Sequence, residues 1–180
     1  MNQFLGSHQN KLDAKGRVSV PAQFRTALRQ SDGRQSDGRY AGDSNGTGIQ
    51  LVLRPSHFHP CIEAWPPGEF ETLATPLAHY SRLSAEHQDL AASLYADAYP
   101  VEADKEGRIL IPDQLAAHAG LTEAVVFMGM GSTFQIWEPA AAERRRAEAR
   151  IRARGLTPPG PQSGPQSGPQ SGTVMRDVAP

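Results

Sequence analysis

The stretch Asp13-Ala-Lys-Gly-Arg-Val-Ser-Val-Pro-Ala-Gln23 returns 91 residues later as Asp104-Lys-Glu-Gly-Arg-Ile-Leu-Ile-Pro-Asp-Gln114. Five of the eleven positions are identical (Asp, Gly, Arg, Pro and Gln), and at two more valine is exchanged for isoleucine. A further likeness follows each copy, because a tryptophan lies near the end of an apolar segment both times. A unit that occurs twice predicts two equivalent modules, packed together as an internal pseudo-dimer.

The first copy predicts a tight turn, a strand and a helix in that order. Asp13 followed three positions later by Gly16 is typical of a type I turn with a glycine bulge, in which glycine supplies a positive φ. The alternating Val18 and Val20 then predict a half-buried strand. Pro21 ends this strand and suits the first turn of a helix.

The second copy predicts the same order, with Asp104 and Gly107 in the turn. Three consecutive apolar residues at 109–111 favour a strand that is buried on both faces. Pro112 then opens a helix that Gly120 closes. Strands are expected at 125–128 and 133–137, separated by a turn, so that each unit is strand, helix, strand, strand.

The remaining segments differ in composition from the two copies. Residues 67–98 show the apolar spacing of helices, and residues 140–154 form an arginine-rich helix with little apolar face, either solvated or resting on a partner. Residues 30–48 contain Gln-Ser-Asp-Gly-Arg twice, which indicates a repeat expansion in a surface loop. Residues 157–180 repeat Pro-Gln-Ser-Gly and are expected to be disordered, because they have almost nothing to bury.

The charge of the chain is unevenly distributed. The 180 residues carry a formal net charge of −1, which by itself argues against a strongly electrostatic partner. However, segment 11–29 has five basic residues against one acidic (+4), segment 143–154 has six against two (+4), and segment 63–104 has one against eight (−7). One face can therefore be basic enough to bind phosphate.

Composition also argues against a membrane or secreted protein. The longest apolar run, residues 124–128, is far shorter than the roughly 20 residues of a membrane helix. Residues 1–7 lack the basic start and apolar run of a secretory signal. The single cysteine, Cys61, fits a reducing, cytoplasmic setting.

Three residues around Pro60 have the chemistry of metal ligands. His57, His59 and Cys61 alternate as ligands on one strand face would, and zinc binds these residue types. A fourth ligand at a typical spacing is missing, and Pro60 makes the strand irregular. We found no catalytic constellation and no glycine-rich phosphate loop. We therefore predict no catalytic residues, no metal, no cofactor and no small-molecule substrate.

The doubled Asp-x-x-Gly-Arg motif, followed each time by an apolar strand and proline, resembles the MraZ family of bacterial transcriptional regulators. Other segments that fit are Phe4-Leu5-Gly6, His59-Pro60-Cys61, Ser81-Arg82-Leu83-Ser84 and His118-Ala119-Gly120-Leu121, so the resemblance covers roughly residues 3–145. It implies an α+β, mainly β fold: a swapped-hairpin, AbrB-like β-barrel built from two β-α-β-β repeats. The expected layout is repeat 1 at 7–69, a helical connector at 70–97, repeat 2 at 98–141, a basic helix at 142–156 and the tail.

The resemblance also implies a function. It implies a ring-like homo-oligomer in the cytoplasm, associated with the nucleoid, that binds double-stranded DNA at short direct repeats. These repeats would lie in the promoter of the division and cell-wall gene cluster, which the protein would repress together with its own gene. The departures from the family are the 30–48 insertion, the Pro-Gln-Ser-Gly tail and Phe70, where the family often has tryptophan.

The candidate DNA contacts are the basic residues of the two turns. In the family the motif arginines approach DNA, and arginine can bridge phosphate oxygens or bind guanine bidentately. The full set is Arg17, Arg108, Lys15, Lys11 and Lys105 for contact, with Asp13, Gly16, Asp104 and Gly107 shaping the turns or orienting the arginines. Because the second turn has Glu106 where the first has Lys15, the two repeats should not contact phosphate equally.

Two alternatives remain open. Each Asp-Arg pair can be an internal salt bridge that only stabilises its turn. The whole protein can be an oligomeric scaffold whose barrel repeats bind proteins rather than DNA. In the DNA hypothesis one chain supplies few contacts, so the affinity comes from several chains on several DNA repeats.

Overall fold

The structure is a computed structural model that describes residues 3–32 and 48–156. Within these residues the strands are β1 Ser7–Lys11, β2 Arg17–Ser19, β3 Gln50–Pro55, β4 Ile62–Trp65, β5 Tyr99–Glu102, β6 Arg108–Leu110, β7 Ala124–Gly129 and β8 Phe134–Trp137. The helices are α1 Ala22–Asp32, α2 Pro67–Leu73, a 3-10 helix Thr75–His79, α3 Ala85–Tyr95, α4 Asp113–His118 and α5 Pro139–Ala153. Most of the predicted 30–48 insertion and the predicted disordered tail lie outside the described residues.

The fold is α+β and mainly sheet, with strands of the two repeats interleaved. Six strands form one antiparallel sheet in the order β1-β7-β8-β4-β3-β5, and β2 pairs with β6 in a separate two-stranded ribbon. β1 of the first repeat pairs with β7 of the second, and β5 of the second pairs with β3 of the first. If each strand is replaced by its equivalent in the other repeat, the same order results, read from the opposite edge of the sheet.

Each repeat has one strand more than the sequence indicated. β1 and β5 precede the two turns, so the unit is strand, strand, helix, strand, strand. The residues of β1, Ser-His-Gln-Asn-Lys, are all polar, and β5 contains Pro100. β1 shows no apolar alternation, and β5 shows a short one, in which Tyr99 and Val101 pack against the core. Both strands lie at sheet edges, where proline is tolerated.

The prediction of a closed barrel was wrong for the described residues. Between β1 and the β2–β6 ribbon the described residues form no ladder. The links there are an isolated bridge from Leu12 to Val18 and a hydrogen bond from Nδ2 of Asn10 to the carbonyl oxygen of Ser19. The ribbon strands are three residues long. Pro21 and Pro112 follow within two residues, and proline lacks the N–H that would extend a ladder.

The main core fills the space between the inner face of the six-stranded sheet, the ribbon and helices α1 and α4. Its centre is aromatic: the rings of Phe4, Phe24, Phe127 and Phe134 lie with centroids 5.0 to 6.3 Å apart. Edge-on and tilted contacts of this kind add stability beyond the buried area. The ribbon is anchored to this core from one side only.

Helix α5 covers part of the opposite face of the sheet. A second apolar cluster lies there, formed by Cys61, Val126, Met128, Trp137 and Ala142. Glu138 caps the helix by accepting hydrogen bonds from the N–H groups of Ala140 and Ala141 at 3.0 and 2.8 Å, which lowers the pKa of its carboxyl. Beyond the first turns the helix is largely exposed, as Ile151 shows.

The connector between the repeats is helical, as predicted, but it consists of three short pieces. Ser84 starts α3 by accepting a hydrogen bond from the N–H of His87 at 3.2 Å. Leu83, inside the stretch predicted to be helical, precedes α3 and is 90% exposed. None of the helices in the described part of the chain is long and apolar enough to cross a membrane.

Candidate nucleic-acid interface

Both predicted turns form, with nearly the same backbone geometry. The N–H of Gly16 donates to the carbonyl oxygen of Asp13 at 3.0 Å, and the N–H of Gly107 to that of Asp104 at 2.8 Å. The two glycines have φ of +75° and +76°, a conformation that a Cβ disfavours. The type I turn with a glycine bulge is therefore confirmed in residues 13–17 (the first turn) and 104–108 (the second turn).

In the first turn the aspartate carboxylate binds the backbone and the guanidinium together. Oδ1 of Asp13 accepts hydrogen bonds from the N–H groups of Lys15 and Arg17, each at 2.9 Å. Oδ2 lies 2.9 Å from Nε and 2.8 Å from Nη2 of Arg17. These bonds, led by the one from the Arg17 N–H, hold the pKa of the Asp13 carboxyl below its usual value.

The second turn repeats this arrangement. Oδ1 of Asp104 accepts from the N–H groups of Glu106 and Arg108 at 3.0 and 2.9 Å, and Oδ2 accepts from Nε of Arg108 at 2.8 Å. The Arg108 N–H bond is the largest cause of the lowered pKa of the Asp104 carboxyl. Each arginine therefore has one fixed direction, set by the aspartate four residues before it.

The ribbon brings the two turns to one surface. In the β2–β6 ladder Arg17 lies opposite Leu110, and Ser19 lies opposite Arg108. Because side chains alternate along a strand, these four share the outward face, while Val18 and its partner in β6 point into the core. The two arginines thus lie at opposite ends of one short ribbon, with their side chains 35% and 32% exposed.

Leu110 contradicts the prediction that the second strand is buried on both faces, because it is 56% exposed. The reason is that β6 belongs to a two-stranded ribbon, and none of the described elements covers the ribbon's outer face. Ile109 and Ile111, on the inward face, are buried as expected.

The predicted lysines lie at different distances from the ribbon ladder. Lys15 and Lys105 are exposed within the first and second turns. Lys11 is exposed too, but it ends β1, where it pairs with Ala124 in the six-stranded sheet. The structure therefore places two of the three lysines in the same turns as the motif arginines.

Comparison with known proteins places these turns in a family. The family model of the MraZ protein matches residues 3–37 and 94–152, which include both turns. The transcriptional regulator MraZ of Gluconacetobacter diazotrophicus is 60% identical over 159 residues, 88% of this chain and 93% of that protein. The chain belongs to the MraZ family. Transcriptional regulators MraZ of Gluconobacter oxydans (56% over 156 residues, 87% and 88% of the two chains) and Xanthobacter autotrophicus (38% over 159 residues, 87% and 90%) are also similar.

Within this MraZ-family fold, one contact distinguishes the second turn. Nη1 of Arg25, in α1 of the first repeat, donates to the carbonyl oxygen of Glu106 at 3.1 Å. A Cβ on Gly107 would lie 2.3 Å from the same Nη1, so the arginine is packed against the glycine. The equivalent position in the second repeat is Ala116. Sequence reasoning missed Arg25, because its partner lies 81 residues away.

The side chains tested as metal ligands have other partners. Nη2 of Arg54, a buried residue, donates to Nε2 of His57 at 2.9 Å. Burial raises the pKa of the Cys61 thiol to about 12, and the ring of His59 lies against Trp137, with centroids 5.7 Å apart. Across residues 3–32 and 48–156, no group of three or more His, Cys, Asp or Glu residues is placed to hold a metal ion.

Proposed function

We propose that this MraZ-family protein is a DNA-binding transcriptional regulator, and that the outer face of the β2–β6 ribbon contacts the DNA. The observation that carries the proposal is the pair of partly exposed guanidinium groups of Arg17 and Arg108, each fixed by an aspartate, at the two ends of one ribbon. A guanidinium group whose orientation is already fixed loses little conformational entropy when it binds phosphate or guanine. The relatives named above are transcriptional regulators.

The dimensions of the ribbon support this assignment. Three residue pairs span about 10 Å, and the major groove, about 12 Å wide, admits a two-stranded ribbon. The cross-strand partners of the two arginines on the outer face are Leu110 and Ser19. The Ser19 hydroxyl can bond to several base edges, and the apolar Leu110 can contact a thymine methyl. Lys15 and Lys105 would add phosphate contacts beside the groove, and Lys11 a more distant one.

The finer features come from the family resemblance. One ribbon offers few contacts, so useful affinity requires several chains acting together. We propose a ring-like homo-oligomer that binds direct repeats in the promoter of the division and cell-wall genes. It represses these genes together with its own gene. It resides in the cytoplasm and is associated with the nucleoid.

The proposed architecture is the swapped-hairpin arrangement of the AbrB-like folds. The pairing of β1 with β7 and of β5 with β3 supports it, because each repeat sends a strand into the other. The proposed layout keeps the repeats at 7–69 and 98–141, the connector at 70–97 and the basic helix at 142–156.

The test is a DNA titration that removes the two arginines. Fluorescence anisotropy is measured with a labelled fragment from upstream of this protein's gene and with a scrambled fragment, at two salt concentrations. We expect the variant Arg17→Ala plus Arg108→Ala to lose about 100-fold or more in affinity, since each good arginine contact contributes about 1–3 kcal/mol. The control, Arg82→Ala plus Arg150→Ala, removes the same charge away from the ribbon and should bind nearly as the wild type.

Three results bear on the proposal. Circular dichroism must show that the double variant is folded, because a lost fold would also abolish binding. Binding that survives in the folded double variant overturns the site. If the wild type binds neither fragment at low salt, the regulator hypothesis fails and the protein scaffold is favoured.

A further inference from the structure

The two motif arginines each use Nε and Nη2, but they differ in how many carboxylates hold them. In the first turn, Nε and Nη2 of Arg17 both lie against the same oxygen, Oδ2 of Asp13. In the second turn, Nε of Arg108 binds Asp104, while Nη2 lies 3.0 Å from Oε2 of Glu106. Within the described residues, therefore, only the second arginine is held by two carboxylates.

The tips of the turns also differ in charge. Lys15 and Glu106 occupy equivalent positions, two residues before the motif arginines. Counting all residues, the first turn has two basic and one acidic residue (+1), and the second has two of each (0). Arg25 brings another positive charge to the second turn, so the two turns have the same net charge once it is counted. The difference is local to the tips: the Lys15 ammonium group attracts a phosphate at the first, whereas the Glu106 carboxylate repels one at the second.

The Arg108–Glu106 pair presents a donor and an acceptor side by side. A phosphate offers only acceptors, so it can satisfy the guanidinium but leaves the carboxylate unpaired. Every base pair offers both kinds of group in the major groove, but arginine binds guanine O6 and N7 and glutamate accepts from the cytosine N4 amino group, so this pair of side chains fits G·C. The chemistry of the second turn matches a base edge better than it matches the DNA backbone.

Arg25 gives the second turn a further property that base recognition requires. Base contacts need side chains held close to one geometry, by groups that themselves do not move. Arg25 ties α1 to the Glu106 carbonyl at 3.1 Å and packs against Gly107. The equivalent Ala116 has no donor with which to do the same. The second turn is thus the one that a neighbouring helix holds in place.

We propose that the two turns divide the work of binding: the first turn anchors a phosphate, and the second reads a G·C base pair. Glu106 is then the specificity-determining residue, and Arg25 is a positioning residue that acts through it. This inference rests on the proposed function, because it assumes that DNA lies on the outer face of the ribbon.

The test compares the two tip residues by substitution to a neutral isostere or near-isostere. Affinities of the wild type, Glu106→Gln and Lys15→Gln are measured for the promoter fragment, for fragments with single G·C pairs replaced by A·T, and for scrambled DNA, over a range of salt. Glu106→Gln should lower the discrimination against at least one replaced G·C pair by about 10-fold or more. Lys15→Gln should weaken binding to all fragments alike and reduce the salt slope by about 1.

Arg25→Lys separates positioning from charge, because it keeps the positive charge but not the guanidinium geometry. Discrimination of G·C from A·T should fall in this variant, while the salt slope stays near the wild-type value. Retained discrimination in Arg25→Lys would remove the positioning role of this residue.

Several outcomes would overturn the division of work. If Glu106→Gln strengthens binding to every fragment and leaves the discrimination of G·C from A·T unchanged, Glu106 only repels phosphate and does not contact a base. If Lys15→Gln changes discrimination as much as Glu106→Gln does, the turns are equivalent. The absence of wild-type binding to any DNA is a separate result, because it rejects the proposed function itself.

Discussion

The first and second turns have the same backbone and different surfaces. In both, an aspartate accepts two backbone N–H groups and holds the arginine four residues later, and in both a glycine adopts a φ near +75°. Their tips differ: in the described residues Arg17 contacts one carboxylate, that of Asp13, and the tip residue is Lys15, whereas at the second tip Glu106 binds Arg108 as well. The shared motif residues therefore determine the conformation, and the residues between them determine what the turn can bind.

The comparison extends to the residues packed around each turn. Arg25 contacts the second turn, while a Cβ on Gly16 in the first turn would first meet the carbonyl oxygen of Ile111, at 3.3 Å. Two turns with one conformation can thus differ in rigidity, because rigidity comes from elements far away in the sequence.

The largest effect is expected beneath the ribbon. Ile109→Ala should lower the free energy of unfolding by about 2–5 kcal/mol, because a fully buried side chain leaves a cavity. Val18→Ala, at the facing position, should cost about 1 kcal/mol less, because valine has one methylene fewer. Urea unfolding measures both, with the exposed Leu110→Ala as control, which should change stability by less than about 0.5 kcal/mol. Equal losses for all three would show that the ribbon is not anchored in the core.

A smaller effect is expected at the two glycines. Alanine at either position costs about 1–2 kcal/mol, because it must adopt a left-handed conformation. Gly107→Ala should cost about 1 kcal/mol more than Gly16→Ala, because its methyl group would displace Arg25 and break the bond to the Glu106 carbonyl. Thermal or urea unfolding measures the difference.

A double-mutant cycle provides the control for the glycines. In an Arg25→Ala background the extra cost of Gly107→Ala should disappear. If the extra cost persists there, Arg25 is not its cause.

The two turns should contribute similarly to the loss of stability in acid. The pKa of the Asp13 and Asp104 carboxyls lies below the ordinary value of 3.8 in the folded protein. Their stabilisation is therefore fully present above this value, and it is lost as the pH falls through the lowered pKa. Asp13→Asn and Asp104→Asn should each flatten the fall of the unfolding free energy below about pH 4 to a similar degree.

Glu138 must be separated from this measurement, because its pKa is lowered as well, by the N–H groups at the start of α5. Glu138→Gln removes that contribution from the acid titration. If only one of the two aspartate substitutions flattens the curve, the turns differ in more than their tips and packing.

The smallest effect is local. Arg25→Ala removes one hydrogen bond to the second turn, which corresponds to about 0.5–1.5 kcal/mol. Hydrogen exchange should become faster at the Gly107 amide and stay unchanged at the Gly16 amide. Arg29→Ala, on the same helix, is the control and should alter neither amide. Faster exchange at both glycines would mean that Arg25 stabilises the whole ribbon rather than one turn.

Local patterns in the sequence were sufficient for much of the fold. The Asp and Gly spacing identified both turns, Pro21 and Gly120 marked a helix start and a helix end, and the arginine-rich segment is helix α5. These features depend on interactions within a few residues, which the sequence displays directly. β1 could not be found in this way, because all of its residues are polar. β5 could not be found either, because its alternation of Tyr99 and Val101 is only four residues long and includes Pro100.

The candidate site was predictable only in part, for a similar reason. The motif identified Arg17 and Arg108, but nothing local shows that β2 pairs with β6 and brings both arginines to one face. The exposure of Leu110 also depends on which element covers the ribbon, and so on the whole fold. The contact of Arg25 with Glu106 likewise joins residues far apart in the sequence and depends on the whole fold.

The ribbon takes one strand from each repeat, and this has a consequence for how the two turns came to differ. A half-length ancestor could form such a ribbon only by pairing two identical chains, and both turns would then be copies of one coding sequence. A change of lysine to glutamate would have appeared in both at once. After duplication and fusion, position 106 can change while position 15 stays the same. An asymmetric binding surface is therefore available to the tandem chain and closed to its symmetric predecessor.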